Sequence, residues 1–154
     1  MISDAANSEI ENTKIAAGLA RGLTRFFSAM GQVSLAEFGL KNRRRADIMA
    51  LDRTGVFTIV EIKSSRADFM TDLKWRDYLE FCDRFYFAVD QNFPTDLIPE
   101  SCGLIIADAY GAATIRESVL ARLHAARRQA LSLRFARTAA RRLMDLNDPG
   151  PHSL

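Results

Sequence analysis

Residues 47 to 65, DIMALDRTGVFTIVEIKSS, read as two apolar strands around a turn, yet the first strand holds an Asp and the second ends in Glu-Ile-Lys. Buried strands avoid such side chains, so they either face water or serve chemistry. Asp52-Arg53-Thr54-Gly55 has the residues of a type I turn, with Asp first and Gly fourth. A left-handed Gly at that point makes a three-residue hairpin loop with a G1 bulge. That loop sets Asp52 opposite Val56 and, counting back, Asp47 opposite Glu61. Lys63 follows two residues later on the same face, because strand side chains alternate with period two. The other face carries Val56, Thr58, Val60 and Ile62, enough to pack on a helix. A two-residue loop would instead turn Asp47 to that other face.

In this register two carboxylates face each other at about 5 Å, which costs roughly 3 kcal/mol at an effective dielectric near 20. Like charges directly opposite also destabilise a sheet. The protein can protonate one acid, separate the pair, or place a cation between them. A hard divalent ion such as Mg²⁺ takes one or two carboxylates and keeps open positions for substrate. A lysine two residues on can orient an attacking water or meet developing negative charge. An exposed hairpin face with ordinary surface charges is the plainer alternative, and Glu-x-Lys alone would favour it.

Composition frames these readings. The chain of 154 residues, 48% hydrophobic and 26% charged, suits one globular domain. No apolar run is long enough for a membrane span, the N-terminus lacks signal-peptide character, and a cytoplasmic location is expected. Two cysteines without a CxxC argue against a disulfide framework or a zinc site. His124 reads as a helix surface residue and His152 as part of a tail. Net charge is +2, but residues 116 to 143 hold eight arginines and one glutamate, a net +7, so the remainder carries about −5. Such separation suggests a basic face for an anionic partner.

The pattern along the chain predicts a helix from about Ala5 to Met30, with apolar positions Ile10, Ile15, Leu19 and Leu23. Strands follow near Val33–Phe38, Arg44–Leu51 and Val56–Lys63. Ala67–Phe81 reads as one helix with Ser65 as N-cap and Asp68 three residues on. Strands Arg84–Val89 and Gly103–Ala107 precede a long arginine-rich helix over about 116–143. Its apolar stripe is Val119, Leu123, Ala126, Ala130 and Leu133. Residues 1–145 are thus expected to form a single domain and 146–154 a flexible tail. The order implies a mixed α/β (α+β) domain.

Asp47, thirteen intervening residues, then Glu61-Ile62-Lys63 resembles the core of the PD-(D/E)XK nuclease superfamily. Ala46 stands where the name-giving Pro would be, a common deviation there. RRADIMAL, EIKSSRADFMTDLKW, YLEFCDRFYFAV and GLIIADAYGA together resemble, more closely, the MmcB-type DNA repair family over about residues 35–130. The resemblance implies a restriction-endonuclease-like central mixed sheet flanked by helices. It implies that Asp47, Glu61 and the backbone carbonyl of Ile62 bind Mg²⁺ or Mn²⁺, and that Lys63 assists attack on a phosphodiester. Superfamily members add an acid from an early element, for which Glu37 in the apolar SLAEF stretch is the candidate ahead of Glu9 and Glu11.

Lys74 and Tyr78, four apart on the predicted helix, resemble the Gln-x-x-x-Tyr element of RecB-like members, with Lys in place of Gln. Phosphate contact suits an ammonium; a solvated Lys beside a half-buried Tyr is the alternative. Trp75 fits the core better than a base stack, Asp68 and Asp72 serve the helix N-terminus, Asp72 can pair with Arg76, and Asp83 belongs to a turn. Arg127, Arg128, Arg134, Arg137, Arg141 and Arg142 lie largely off the apolar stripe of the last helix and suit phosphate. The expected function is that of a metal-dependent deoxyribonuclease of DNA repair, with DNA and repair proteins as partners. The alternative is a non-catalytic DNA-binding or scaffold module on the same fold.

Overall fold

The computed structural model describes residues 3–150; His152 and the end of the expected tail lie outside them. Gly55 adopts φ +90°, its N–H donates to the Asp52 carbonyl at 3.2 Å, and the Asp52 N–H donates to the Val56 carbonyl at 3.1 Å. The Asp52 carboxylate closes the loop by accepting from the N–H groups of Thr54 and Val56. This is the three-residue loop with a left-handed glycine. It sets β2 (Arg45–Leu51) against β3 (Phe57–Ile62) with Leu51 opposite Phe57, Met49 opposite Ile59 and Ile48 opposite Val60, the register that the turn dictates.

Around this hairpin stand β1 (Val33–Gly39), β4 (Arg84–Val89), β5 (Gly103–Ala107) and β6 (Ala112–Arg116), giving one six-stranded sheet in the order β1-β2-β3-β4-β5-β6. The β3–β4 and β4–β5 pairs are parallel and the other three antiparallel. Parallel centre strands are buried on both faces, and every residue of β3 is buried, Glu61 included. The fold is a mixed α+β arrangement, with a mixed sheet flanked by helices in a manner consistent with a restriction endonuclease.

On one face lies α1 (Asp4–Ala29), started by the Ser3 side chain accepting from the Ala6 N–H. Of its buried stripe, Gly18, Leu19, Gly22, Leu23 and Phe27, the three large side chains pack with Ile48, Val60, Ile62, Ala88 and Ile105, while Gly18 and Gly22 face residues 108–111. Ile10, counted in the expected stripe, is exposed. The opposite face is covered by aromatic residues from α2 (Arg66–Thr71) and a 3₁₀ helix, Trp75–Phe81. Trp75 stacks on Phe85 with ring centres 5.7 Å apart, and Phe69 meets Phe87 edge-on. Trp75 is therefore core.

The single helix expected over Ala67–Phe81 is broken at Asp72–Lys74. Asp72 is extended (φ −108°, ψ 91°), with one carboxylate oxygen on the Lys63 ammonium and the other on the Lys74 N–H. That bonding, invisible to periodicity, ends α2. The expected Asp72–Arg76 pair does not form, and Arg76 instead lies over the Trp75 ring at 4.4 Å. Asp83 does more than turn the chain: it is buried, and its carboxylate accepts from the Phe57 N–H at 2.7 Å.

The arginine-rich segment also differs from expectation. Ala112–Arg116 pairs with β5, and residues 117–121 are sewn to the start of β4. The Ser118 hydroxyl accepts from the Phe85 N–H, Arg84 donates to the Ser118 carbonyl, and the Ala121 N–H donates to Asp83 O. Backbone so engaged cannot enter a helix. The last helix, α3 (Ala125–Asn147), starts nine residues later than expected, with His124 as N-cap, and runs into the segment taken as tail. Val119 and Leu133 are exposed, while Leu131 and Phe135 are the buried residues of α3. The chain divides into two compact units, Met1–Arg122 and Leu123–Leu154. Among the described residues no helix is long and apolar enough to cross a membrane.

A methyl group added at Gly22 would meet the backbone carbonyl oxygens of Asp108 and Gly111, well inside van der Waals contact. Because the obstacle is backbone, Gly22→Ala should force α1 off the sheet and cost about 3 kcal/mol, read as a lowered urea midpoint with an unchanged slope.

Candidate active site

In the hairpin register, Leu51/Phe57, Met49/Ile59 and therefore Asp47/Glu61 are the pairs without mutual backbone hydrogen bonds, since the Asp52 N–H bonds Val56 O. Such pairs hold their side chains closest together. Regular pairing ends at Ile48–Val60, and beyond it carboxylates take over the backbone donors. The Asp47 N–H donates to Glu61 Oε1 at 3.1 Å, and the Ile62 N–H donates to Asp47 Oδ2 at 2.8 Å. The two acids are thus locked to each other's strands, on the face away from α1.

Lys63 follows β3, its N–H bonded to Ala88 O, with its side chain buried. The ammonium donates to Asp72 Oδ2 at 2.8 Å and stands 3.9 Å from Asp68 Oδ1. Burial raises the Asp72 carboxyl, but the hydrogen bond and charge of Lys63, with the Lys74 N–H, outweigh it and hold the group below its ordinary value. Burial, and then the charge of Asp47, push the Glu61 carboxyl up to about 8. Burial raises Asp47 as well, partly offset by the Ile62 N–H and the charge of Lys63. Two carboxylates sharing a desolvated site cannot both ionise cheaply, so one proton stays on the pair near neutral pH.

Glu37 sits where the β1–β2 register, with Ala36 opposite Ile48 and Phe38 opposite Ala46, places it across from Asp47. By register the three acids therefore form one row over three strands. Glu37 adopts φ +49°, a left-handed conformation uncommon outside glycine, and its carboxylate pairs with Arg45 Nη2 at 3.6 Å. Among the described residues no group of three or more His, Cys, Asp or Glu is arranged to hold a metal ion. The structure thus brings Asp47, Glu61 and Lys63 together and turns the Glu37 side chain to Arg45.

A family model described as DNA repair protein MmcB-like matches residues 3–150. The chain belongs to the MmcB-like family. The solved structure of the SPO1766 protein of unknown function from Silicibacter pomeroyi is 48% identical, with a TM-score of 0.85, over 88% of this chain and 93% of that one. No curated protein matches the chain.

Within this MmcB-like chain, Lys74 is exposed and caps the 3₁₀ helix rather than sharing an α-helical face with Tyr78. The Tyr78 hydroxyl donates to Arg45 O at 3.0 Å, two residues before Asp47, and its ring is buried. Tyr78 thus braces the strand that bears the first acid. On α3, Arg134, Arg137 and Arg141 are exposed at spacings that put them on one helix face; Arg127 is half-buried about two turns before Arg134. Asp72 was missed as the partner of Lys63. The only signal for it was a strand-to-helix return that brings position 72 back over position 63.

The folded pKa of Glu61 lies above its ordinary 4.5, so between about 4.5 and 8 the folded state holds a proton that the unfolded chain has released. Stability must then fall as pH rises through that window. In chelator, the wild type should lose about 1–3 kcal/mol between pH 5 and 8 by this route. Glu61→Gln, which keeps an acceptor for the Asp47 N–H, should flatten the profile and be the more stable protein at pH 8. Urea unfolding at a series of pH values reads the difference.

Proposed function

We propose that this chain is a divalent-metal-dependent endonuclease of DNA repair, built as a PD-(D/E)XK-like enzyme and hydrolysing phosphodiester bonds at Asp47, Glu61 and Lys63. The observation that carries this reading is the mutually repelling pair of half-buried Asp47 and buried Glu61, with buried Lys63 beside it. A pair that must otherwise keep a proton gains most from a cation, and its hard oxygen donors suit Mg²⁺ or Mn²⁺. Asp47 and Glu61 would hold the ion, with the Ile62 carbonyl as a further oxygen and Glu37 as an outer acid. When bound, the ion would supply Lewis-acid polarisation of the scissile phosphate.

The remaining work falls to the chain's own groups. The Lys63 ammonium meets the negative charge that builds on the phosphoryl oxygens, and Asp72 fixes where that ammonium sits. Tyr78 holds the Asp47 strand in place, and Lys74, together with Arg127, Arg134, Arg137 and Arg141 of α3, contacts phosphates of the nucleic-acid backbone. Membership of a DNA repair family supports DNA as the substrate. A second reading, a non-catalytic DNA-binding or scaffold module of repair, is favoured by one observation. Lys63 is already engaged by Asp72, and Glu37 by Arg45.

Single-turnover cleavage of duplex, single-stranded, flapped and branched DNA with Mg²⁺ or Mn²⁺ separates the two. Lys63→Ala should keep calorimetric Mn²⁺ binding and DNA affinity while cleavage falls by about a hundredfold or more. Wild-type protein inactive on every substrate, with either metal, would leave the module reading.

The α3 arginines carry a separate expectation. Charge reversal at Arg134, Arg137 and Arg141 should weaken DNA binding and lower its salt dependence by roughly one unit of log–log slope per lost phosphate contact. Unchanged affinity would assign this helix to another partner.

A further inference from the structure

The turn between β1 and β2, Lys41-Asn42-Arg43-Arg44-Arg45, holds four cations and no acid within five residues. It opens directly onto β2, two residues ahead of Asp47, and it belongs to the same compact unit as the acid pair. Three side chains anchor it to the 3₁₀ helix. Arg44 forks onto Asp77 Oδ2 at 3.0 and 3.2 Å, Asn42 Nδ2 donates to Asp77 O at 3.2 Å, and Tyr78 donates to Arg45 O.

The other cations face outward. Lys41 and Arg43 are exposed and form no ion pair among the described residues. Arg45 pairs with Glu37 at 3.6 Å with both side chains about two-thirds exposed, a contact worth little in water and easily exchanged for a phosphate. Arg44 already spends its fork on Asp77. The result is a braced turn that presents cations to solvent at the rim of a carboxylate site. A site of paired acids repels a polyanion, so a phosphodiester needs cations on the same rigid body to be drawn to it.

We infer that the β1–β2 turn, through Lys41, Arg43 and Arg45, is a phosphate clamp that grips the nucleic-acid backbone beside the Asp47–Glu61 pair. This inference rests on the reading of the chain as a DNA-binding protein, but not on cleavage. Its residues are other than the α3 arginines, which belong to the other compact unit.

The test is a monovalent-salt titration of binding to labelled duplex and single-stranded oligonucleotides without divalent ions. The test protein is a double variant, Lys41→Ala with Arg43→Asn, the Asn tolerating the φ of +68° at position 43. Arg53→Ala is the control, an exposed arginine on the turn at the far end of the seven-residue β2, about 20 Å away. The double variant should lose roughly tenfold or more in affinity at 0.1 M salt, and its log–log slope should shrink by about 2. The control should match wild type, and thermal unfolding of all three should coincide. If wild type binds and the double variant keeps its slope and affinity, or loses no more than the control, the clamp is overturned while the DNA reading stands. If wild type binds no DNA at low salt, both fall. If the double variant loses slope but wild type never cuts, the clamp stands and the endonuclease reading falls.

Discussion

Two carboxylates, half-buried Asp47 and buried Glu61, held opposite each other in a non-hydrogen-bonded pair are the constraint around which this protein is arranged. The left-handed Gly55 fixes the register, and a slip of one residue would send Asp47 to the α1 face, among Leu19, Leu23 and Val60, and turn Ile48 away from it. Once the register is set, the pair cannot be relaxed by moving the strands apart, because Asp47 and Glu61 each accept a backbone N–H from the other's strand. The surroundings absorb the cost. Lys63 supplies a cation, Asp72 and Asp68 hold that cation, and the aromatic layer of Phe69, Trp75 and Tyr78 on Phe85 and Phe87 closes the same face.

The interruption of the helix after α2 has the same electrostatic origin. A continuous helix through position 72 would satisfy local propensity, but Asp72 would then lose its extended geometry. The buried Lys63 ammonium would be left with the more distant Asp68. An unpaired buried charge costs several kcal/mol, more than a few residues of helix return. The chain therefore takes a loop and a 3₁₀ turn there, which also lets Tyr78 reach the carbonyl of Arg45 and brace the strand bearing Asp47.

Several features were legible because their causes are local. The Asp-Arg-Thr-Gly turn, the alternating faces of β2 and β3, the Ser65 cap and strands β4 and β5 follow from turn chemistry and hydrophobic period, and the register that unites Asp47 with Glu61 follows from the turn. Others were not, for the opposite reason. Ala112–Arg116 is a strand because β5 offers an edge, and 117–121 stays extended because β4 and Asp83 offer partners. Glu37 stood out as an acid in an apolar stretch, yet its backbone conformation and its pairing with Arg45 depend on the neighbouring strand. The basic turn at 41–45 escaped notice beside the larger arginine count of the C-terminal segment.

By itself, then, the sequence determined the hairpin, its register and the row of side chains it presents, since a left-handed glycine and a period of two leave little freedom. It also carried the motifs that mark the MmcB-like family. Only the tertiary structure decided which cation answers which anion: Lys63 with Asp72, Arg44 with Asp77, Arg45 with Glu37. Ion pairing depends on distances in space between residues far apart or differently placed in the chain, and on how much water the packed faces leave around them. Neither quantity is written in any local pattern of residues.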